Sequence, residues 1–183
     1  MARVLVFFGE GFEEIEALTV VDLVRRAGID ISMVSIDGSK KVTGSHGISV
    51  DMDESIYDIS FDEAQMIVLP GGMPGTRNLE ANDDLMRNVD DFCSSGKYVA
   101  AICAAPTILG HRGLLVNKKA CCYPGMEEQL QGATVTKDKV TVADKIITSR
   151  GLGTAIPFAL KIVEVLTDKD TADKLSSAIV FRV

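Results

Sequence analysis

Short runs of consecutive apolar residues alternate along this chain with stretches whose apolar positions recur every three or four residues. Arg3–Phe8 reads as a buried strand, and Glu13–Ala27 as a helix that ends at Gly28. Ile29–Ser35 and Met66–Leu69 read as further strands. Asp83–Ser94 has helical periodicity and closes at Gly96, and Tyr98–Ile102 is again a strand. Pro106–Arg112 is a short helix with proline in its first turn. Lys145–Thr148 is a strand, Thr154–Leu166 a long helix and Asp170–Ile179 a last helix. Val42–Met52 alternates apolar and polar residues with glycines nearby, the pattern of a hairpin or an edge excursion.

Strands alternating with helices predict an α/β fold: a mostly parallel sheet with helices on both faces and right-handed crossovers. No repeat, low-complexity segment or linker divides the 183 residues, so they read as one domain. In such folds ligands bind beyond the carboxyl ends of the strands. Three strand-to-helix junctions therefore become the places to look: Gly9–Glu16, Pro70–Arg77 and Ile102–Pro106.

Bulk composition narrows the classes. Hydrophobic residues make up 46%, too many for a disordered chain, and the net charge of −7 disfavours nucleic acid as a specific partner. No apolar run approaches the roughly 18 residues of a membrane span, and the N-terminus enters a strand with no signal-peptide pattern. The expected location is cytoplasmic, with Cys93, Cys103, Cys121 and Cys122 as thiols. Neither the cysteines nor His46 and His111 have the spacing of metal ligands, so no metal is expected.

At the third junction the pattern is Ala101-Ile102-Cys103-Ala104-Ala105. A sharp strand-to-helix turn that presents a nucleophile tolerates only small residues two positions before and after it. Alanine fills both places, and the helix that follows offers unpaired N–H groups and a partial positive charge to a thiolate. Cys103 is thus expected to be a nucleophile of depressed pKa rather than a buried structural thiol, with the Ala104 N–H placed for an oxyanion.

The second junction, Leu69-Pro70-Gly71-Gly72-Met73-Pro74-Gly75, supplies either a second oxyanion donor at the Gly72 N–H or only a tight turn. It lacks the phosphate-loop pattern. At the first junction, Glu14 reads as an acid complementing the helix dipole. Glu16 shares a stripe with Val20, Leu23 and Ala27, while Glu13 lies near the same arc, so periodicity does not choose between them. A carboxyl on that buried stripe, beside a thiolate, should have a raised pKa and titrate jointly with the sulfur.

Together GFEEIEA, VLPGG, AAICAAP, CCYP and the stretch Thr148–Ala155 resemble the ThiJ/PfpI (DJ-one) superfamily, over nearly the whole chain. The resemblance implies a flavodoxin-like, doubly wound sandwich and a homodimer without an organic cofactor. It aligns Cys103 with the reactive elbow cysteine and Glu16, not Glu13, with the acid that hydrogen-bonds it. Gly72 and Ala104 align with the backbone donors of the pocket. Peptidase-like members carry histidine directly after the cysteine; Ala104 stands there, so a peptidase is not expected. Tyr123 matches the YajL-like branch and either contacts substrate or packs as an aromatic. Arg150 matches an arginine near the pocket or dimer seam, or is a surface cation. Cys121 and Cys122, read as neighbours on a strand, should point one inward and one outward and serve packing.

The resemblance implies two functions that share the same residues. One is a cysteine-dependent glyoxalase III or deglycase, acting on methylglyoxal-type dicarbonyls or early glycation adducts. The alternative is an oxidative-stress sensor or redox-regulated chaperone working through oxidation of Cys103.

Overall fold

The computed structural model describes residues 3–181. β1 (Arg3–Phe8) leads into α1 (Glu14–Arg26) and back to β2 (Asp30–Ser35). A small hairpin, β3 (Lys41–Thr43) with β4 (Ser49–Asp51), precedes the two-residue β5 (Glu54–Ser55). β6 (Ala64–Leu69), α2 (Gly75–Glu80), α3 (Asp83–Ser94), β7 (Tyr98–Ile102) and α4 (Pro106–His111) follow. β8 (Lys119–Ala120) and β9 (Thr134–Val135) pair with each other; β10 (Val140–Ala143) turns into β11 (Ile146–Ser149), and α5 (Ala155–Leu166) and α6 (Lys169–Ala178) complete the fold.

The central sheet has the order β10-β11-β7-β6-β1-β2-β5, and every neighbouring pair is parallel except β10 with β11. Its inner five strands run second-first-third-fourth-fifth along the chain. This is the flavodoxin-like order, whose switch point lies between the first and third strands. That point falls between β1 and β6, so the loops after them flank one crevice, with the loop after β7 alongside.

The strands are apolar throughout because both faces are covered. In β1, Val4, Val6 and Phe8 enter the core against α1 and α5, whereas Leu5 and Phe7 enter the core against α3 and α4. β6 and β7 divide in the same way, with Val68 and Ile102 on the first side and Leu69 and Ala101 on the second. The period of two thus feeds two separate cores from one strand.

Most expected elements stand within a residue or two of their predicted ends, and Val42–Met52 forms the predicted hairpin. The α2 helix was not predicted, because Pro74 and Gly75 at its start hide a helical pattern of only six residues. The antiparallel edge strand β10 was also not predicted; Thr141 and Val142 carry too little periodicity in four residues to stand out.

Candidate active site

The elbow is present. Cys103 has a positive φ of 65°, a left-handed conformation that costs a non-glycine residue about 1–3 kcal/mol unless its surroundings enforce it. They do. The Cys103 N–H donates to Ser149 O at the end of β11, 3.0 Å away, and the Tyr123 N–H donates to Cys103 O at 2.8 Å. Ala101 and Ala105, the small residues either side, are fully buried. A larger side chain at either place would have to displace core atoms.

Gly71 explains why the second junction is bare. A Cβ on it would lie 2.6 Å from the Cys103 Cβ and 2.6 Å from Glu16 Oε2, closer than real Cβ atoms approach anything. Glycine there allows the backbone of one strand end to touch both side chains. The N–H groups of Gly72 and Ala104 act on the Cys103 sulfur, each favouring its ionised form. Both N–H groups therefore lie on the sulfur.

Glu16 lies on the buried stripe of α1 and is 1% exposed. Its Oε2 accepts the Gly71 N–H at 3.0 Å. Oε1 is buried with no N–H or O–H donor, and it lies on the thiol's side: a Cβ on Gly151 would be 3.8 Å from both Oε1 and the Cys103 sulfur. Burial pushes the Glu16 carboxyl up to about 7, against the opposing pull of hydrogen bonds to Cys103 and Gly71. Glu13, the other carboxyl left open by periodicity, is the N-cap of α1 and lies at the rim, not against the sulfur.

The expectation of a simply depressed thiol pKa does not hold. Burial, and then the Glu16 carboxylate, push the Cys103 thiol up to about 12, although the Ala104 and Gly72 N–H groups pull the other way. The corner is more closed, and the carboxylate nearer, than a helix terminus alone implies. The two groups are coupled: burial and mutual repulsion favour states in which at least one of them keeps its proton.

A cleft of about 400 Å³ opens beside the sulfur, walled by Met73, Tyr123, Pro124 and Met126, with Glu13 at its edge. Tyr123 is half exposed on this wall, as substrate contact would require. Arg150 does not line the cleft; its charge acts on Cys122 and Glu127. Cys121 and Cys122 correct the strand reading. Both follow β8 and both are buried, with the Cys121 N–H donating to Thr148 Oγ1 at 3.0 Å. Thr148 meets the polar backbone there, so neither thiol has to turn outward.

Glu14 is the largest departure from the sequence reading. It is not a solvated dipole partner but a buried anchor, 3% exposed. Oε1 accepts the His46 N–H at 2.7 Å and Oε2 lies 3.0 Å from His46 Nδ1, while Gly44 packs its backbone over the carboxylate. Burial opposes ionisation, yet the bonds from His46 and Ile48 outweigh it and hold the carboxyl down at about 2. Periodicity in α1 had no signal for a partner 32 residues away. Glu13, Glu14 and His46 form the one group among the described residues with the makeup of metal ligands, and they serve one another as hydrogen-bond partners.

An α/β protein that strains a thiol at the end of a strand and leans a neutralisable acid on it belongs to the class of elbow-cysteine proteins. Comparison with known proteins is specific: the DJ-1/PfpI family matches residues 2–165, and the chain belongs to that family. It is 37% identical over 182 residues to protein DJ-1 homolog B of Arabidopsis thaliana, covering 98% of this chain and 42% of that protein. The chain thus spans less than half the length of that plant relative. It is 30% identical over 167 residues to the glutathione-independent glyoxalase DJR-1.2 of Caenorhabditis elegans, covering 91% of this chain and 89% of that one. The structure of oxidized Toxoplasma gondii DJ-1 superposes with a TM-score of 0.96 at 35% identity, covering both chains fully.

Proposed function

We propose that the chain, as a single domain, is a glutathione-independent glyoxalase of the glyoxalase III type, with methylglyoxal-like 2-oxoaldehydes as substrates and early glycation adducts as a related deglycase substrate. The observation that carries this reading is the free Oε1 of Glu16 on the thiol's side of a corner that also holds two backbone donors. The glyoxalase naming of the Caenorhabditis relative supports it.

The chemistry balances without a cofactor. The Cys103 sulfur adds to the aldehyde carbon, and the thiol proton passes through Glu16 to the new oxygen, giving a hemithioacetal. The N–H groups of Gly72 and Ala104 hold that oxygen as charge develops on it. Glu16 then removes the hydrogen from the former aldehyde carbon as a proton and returns it to the adjacent carbon, while the hemithioacetal hydroxyl proton passes to the neighbouring carbonyl oxygen. The first carbon is oxidised to a thioester and the second reduced to an alcohol. Water cleaves the carbon–sulfur bond, releasing lactate and restoring the thiol. A group near 7 can carry protons both ways at neutral pH. Tyr123 would hold the substrate; Arg150, outside the cleft, would reach only a longer one.

The second reading, an oxidation sensor or redox-regulated chaperone, draws on the same donors, which could hold the oxygens of a sulfinate, and on the oxidized form of the Toxoplasma relative. A lactate assay beside intact mass after mild peroxide separates the two. Turnover lost in Cys103→Ser supports the enzyme. No turnover in the wild type, with a stable sulfinate on Cys103, overturns it in favour of the sensor.

Two copies are proposed to associate through the groove between α1 and the C-terminal helices, where Ile15 and Ile48 are half exposed and Leu18, Ile156 and Ile179 line the floor. No helix among the described residues is long and apolar enough to cross a membrane, and a cytoplasmic site of action is part of the proposal.

A further inference from the structure

The cleft beside Cys103 is built for more than a three-carbon substrate. Its volume of about 400 Å³ falls in the range of pockets that take drug-sized ligands. Its walls are apolar: Met73 and Met126 are two unbranched thioethers that adapt to the shape between them, and Pro124 and the Tyr123 ring close the far side. Met73 lines the cleft while remaining 44% exposed, so its thioether is accessible to a ligand.

The charge on this wall has one sign. Among the described residues Glu13 is the only charged side chain lining the cleft, and no lysine, arginine or histidine among them does so. Its carboxylate is held in place: the Glu13 N–H donates to Gly71 O at 2.9 Å, and the Ser45 hydroxyl donates to Oε2 at 3.3 Å. His46 Nδ1 lies 3.5 Å from Oε2, on the hairpin and not on the cleft wall. An anion entering the cleft therefore meets a fixed negative charge, which only His46, behind it on the hairpin, offsets when that ring is protonated.

We infer that Glu13 and the Met73–Met126 wall make this site selective for uncharged 2-oxoaldehydes with an apolar substituent, and that anionic dicarbonyls, such as phosphorylated or carboxylated ones, are excluded. The inference rests on the dicarbonyl reading for its substrates, but the filter is a property of the cleft and can be measured without turnover.

The test compares alkylation of Cys103 in the full chain at about pH 8.5, above the ordinary histidine range. Rates with iodoacetamide, iodoacetate and phenacyl bromide are read by mass on the Cys103 peptide, each divided by the rate with N-acetylcysteine. Iodoacetate should fall behind iodoacetamide by about tenfold, the effect of one like charge at close range in a partly screened site. Phenacyl bromide should exceed iodoacetamide by about fivefold, from partial burial of a ring. Glu13→Gln should close the first gap, Met126→Ala the second, and Met73→Lys, at an exposed position that tolerates charge, should reverse the preference against iodoacetate. Equal normalised rates for all three reagents would overturn the inference. Turnover provides the second arm. KM for phenylglyoxal should lie below that for methylglyoxal, and KM for 4-carboxyphenylglyoxal about tenfold above that for phenylglyoxal. Turnover of all three with matching KM would refute the selectivity alone. No turnover of any, with the alkylation pattern intact, would refute the dicarbonyl reading and leave the filter standing.

Discussion

Glu16 Oε2 accepts the backbone N–H of Gly71 at 3.0 Å, which fixes a nearly fully buried carboxyl with its other oxygen facing the Cys103 side. This contact joins the first helix to the end of β6. It determines how the acid titrates and what the protein gives up to hold it.

The first consequence is a stability cost that appears only when Glu16 ionises. Its folded pKa of about 7 exceeds the unfolded 4.5, so its contribution is fully favourable below 4.5 and is lost as pH rises through 7. At pH 8 the cost is at most about 3 kcal/mol. Glu16→Gln should therefore raise the Tm by several degrees at pH 8 relative to pH 5, while abolishing lactate formation. Thermal unfolding at the two pH values checks this; an equal shift at both would mean the carboxyl is not neutral in the acid form of the protein.

Cys103 alkylation should report how firmly the pair holds its proton. Burial and the Glu16 carboxylate both keep the sulfur protonated, so the rate with iodoacetamide should stay low at neutral pH and climb only in alkali. In Glu16→Gln the rise should move to lower pH, because the carboxylate that pushes the thiol up is gone. Rates measured from pH 5 to 10 decide it, and an unmoved profile would show that Glu16 does not act on the sulfur.

Gly71→Ala should be more damaging than a change of one methyl group suggests. The new Cβ would meet the Cys103 Cβ and Glu16 Oε2 at 2.6 Å, and overpacking of this kind costs about 1–3 kcal/mol. The expected result is a folded protein with lactate formation reduced at least about a hundredfold, as a small displacement at reacting atoms can cause. Activity within a few fold of wild type would show that the corner is looser than described.

Glu14→Gln should free the β3–β4 hairpin. The folded pKa of about 2 lies below the unfolded 4.5, so the stability it provides is present above 4.5 and lost as pH falls through 2. Near neutral pH the substitution should cost about 3 kcal/mol or less, and near pH 2 almost nothing. Amide exchange at His46 and Ile48 would rise first, since both N–H groups donate to this carboxylate.

Ile48→Arg tests the association face. Ile48 is 54% exposed, so charge there should leave the monomer fold intact. Sedimentation should show a dimer for wild type and a monomer for the variant; a dimer in both would move the interface elsewhere.

Much of this architecture was legible from residue order. Alternating apolar runs and helical stripes identified the inner strands, because a two-faced parallel sheet requires nearly continuous hydrophobicity, as in Val4–Phe8. The elbow was legible from Ala101 and Ala105; the stripe of α1 narrowed its acid to Glu13 or Glu16, and only the family resemblance separated them. What escaped depended on distant partners. Glu14 draws its burial from His46 and Gly44; the outer wall of the cleft comes from Met73 and Met126, residues with no shared local pattern. The thiol's raised pKa was hidden for the same reason, since enclosure by Glu16 and a second strand end is invisible in the nine residues around Cys103.

The corner at Cys103 is held by Ser149 O and faced by Gly151, both near the end of the chain, while its acid comes from residue 16. The bend at the sulfur therefore depends on β11 being docked beside β7, and a chain truncated before β11 would lack the carbonyl that holds the Cys103 N–H.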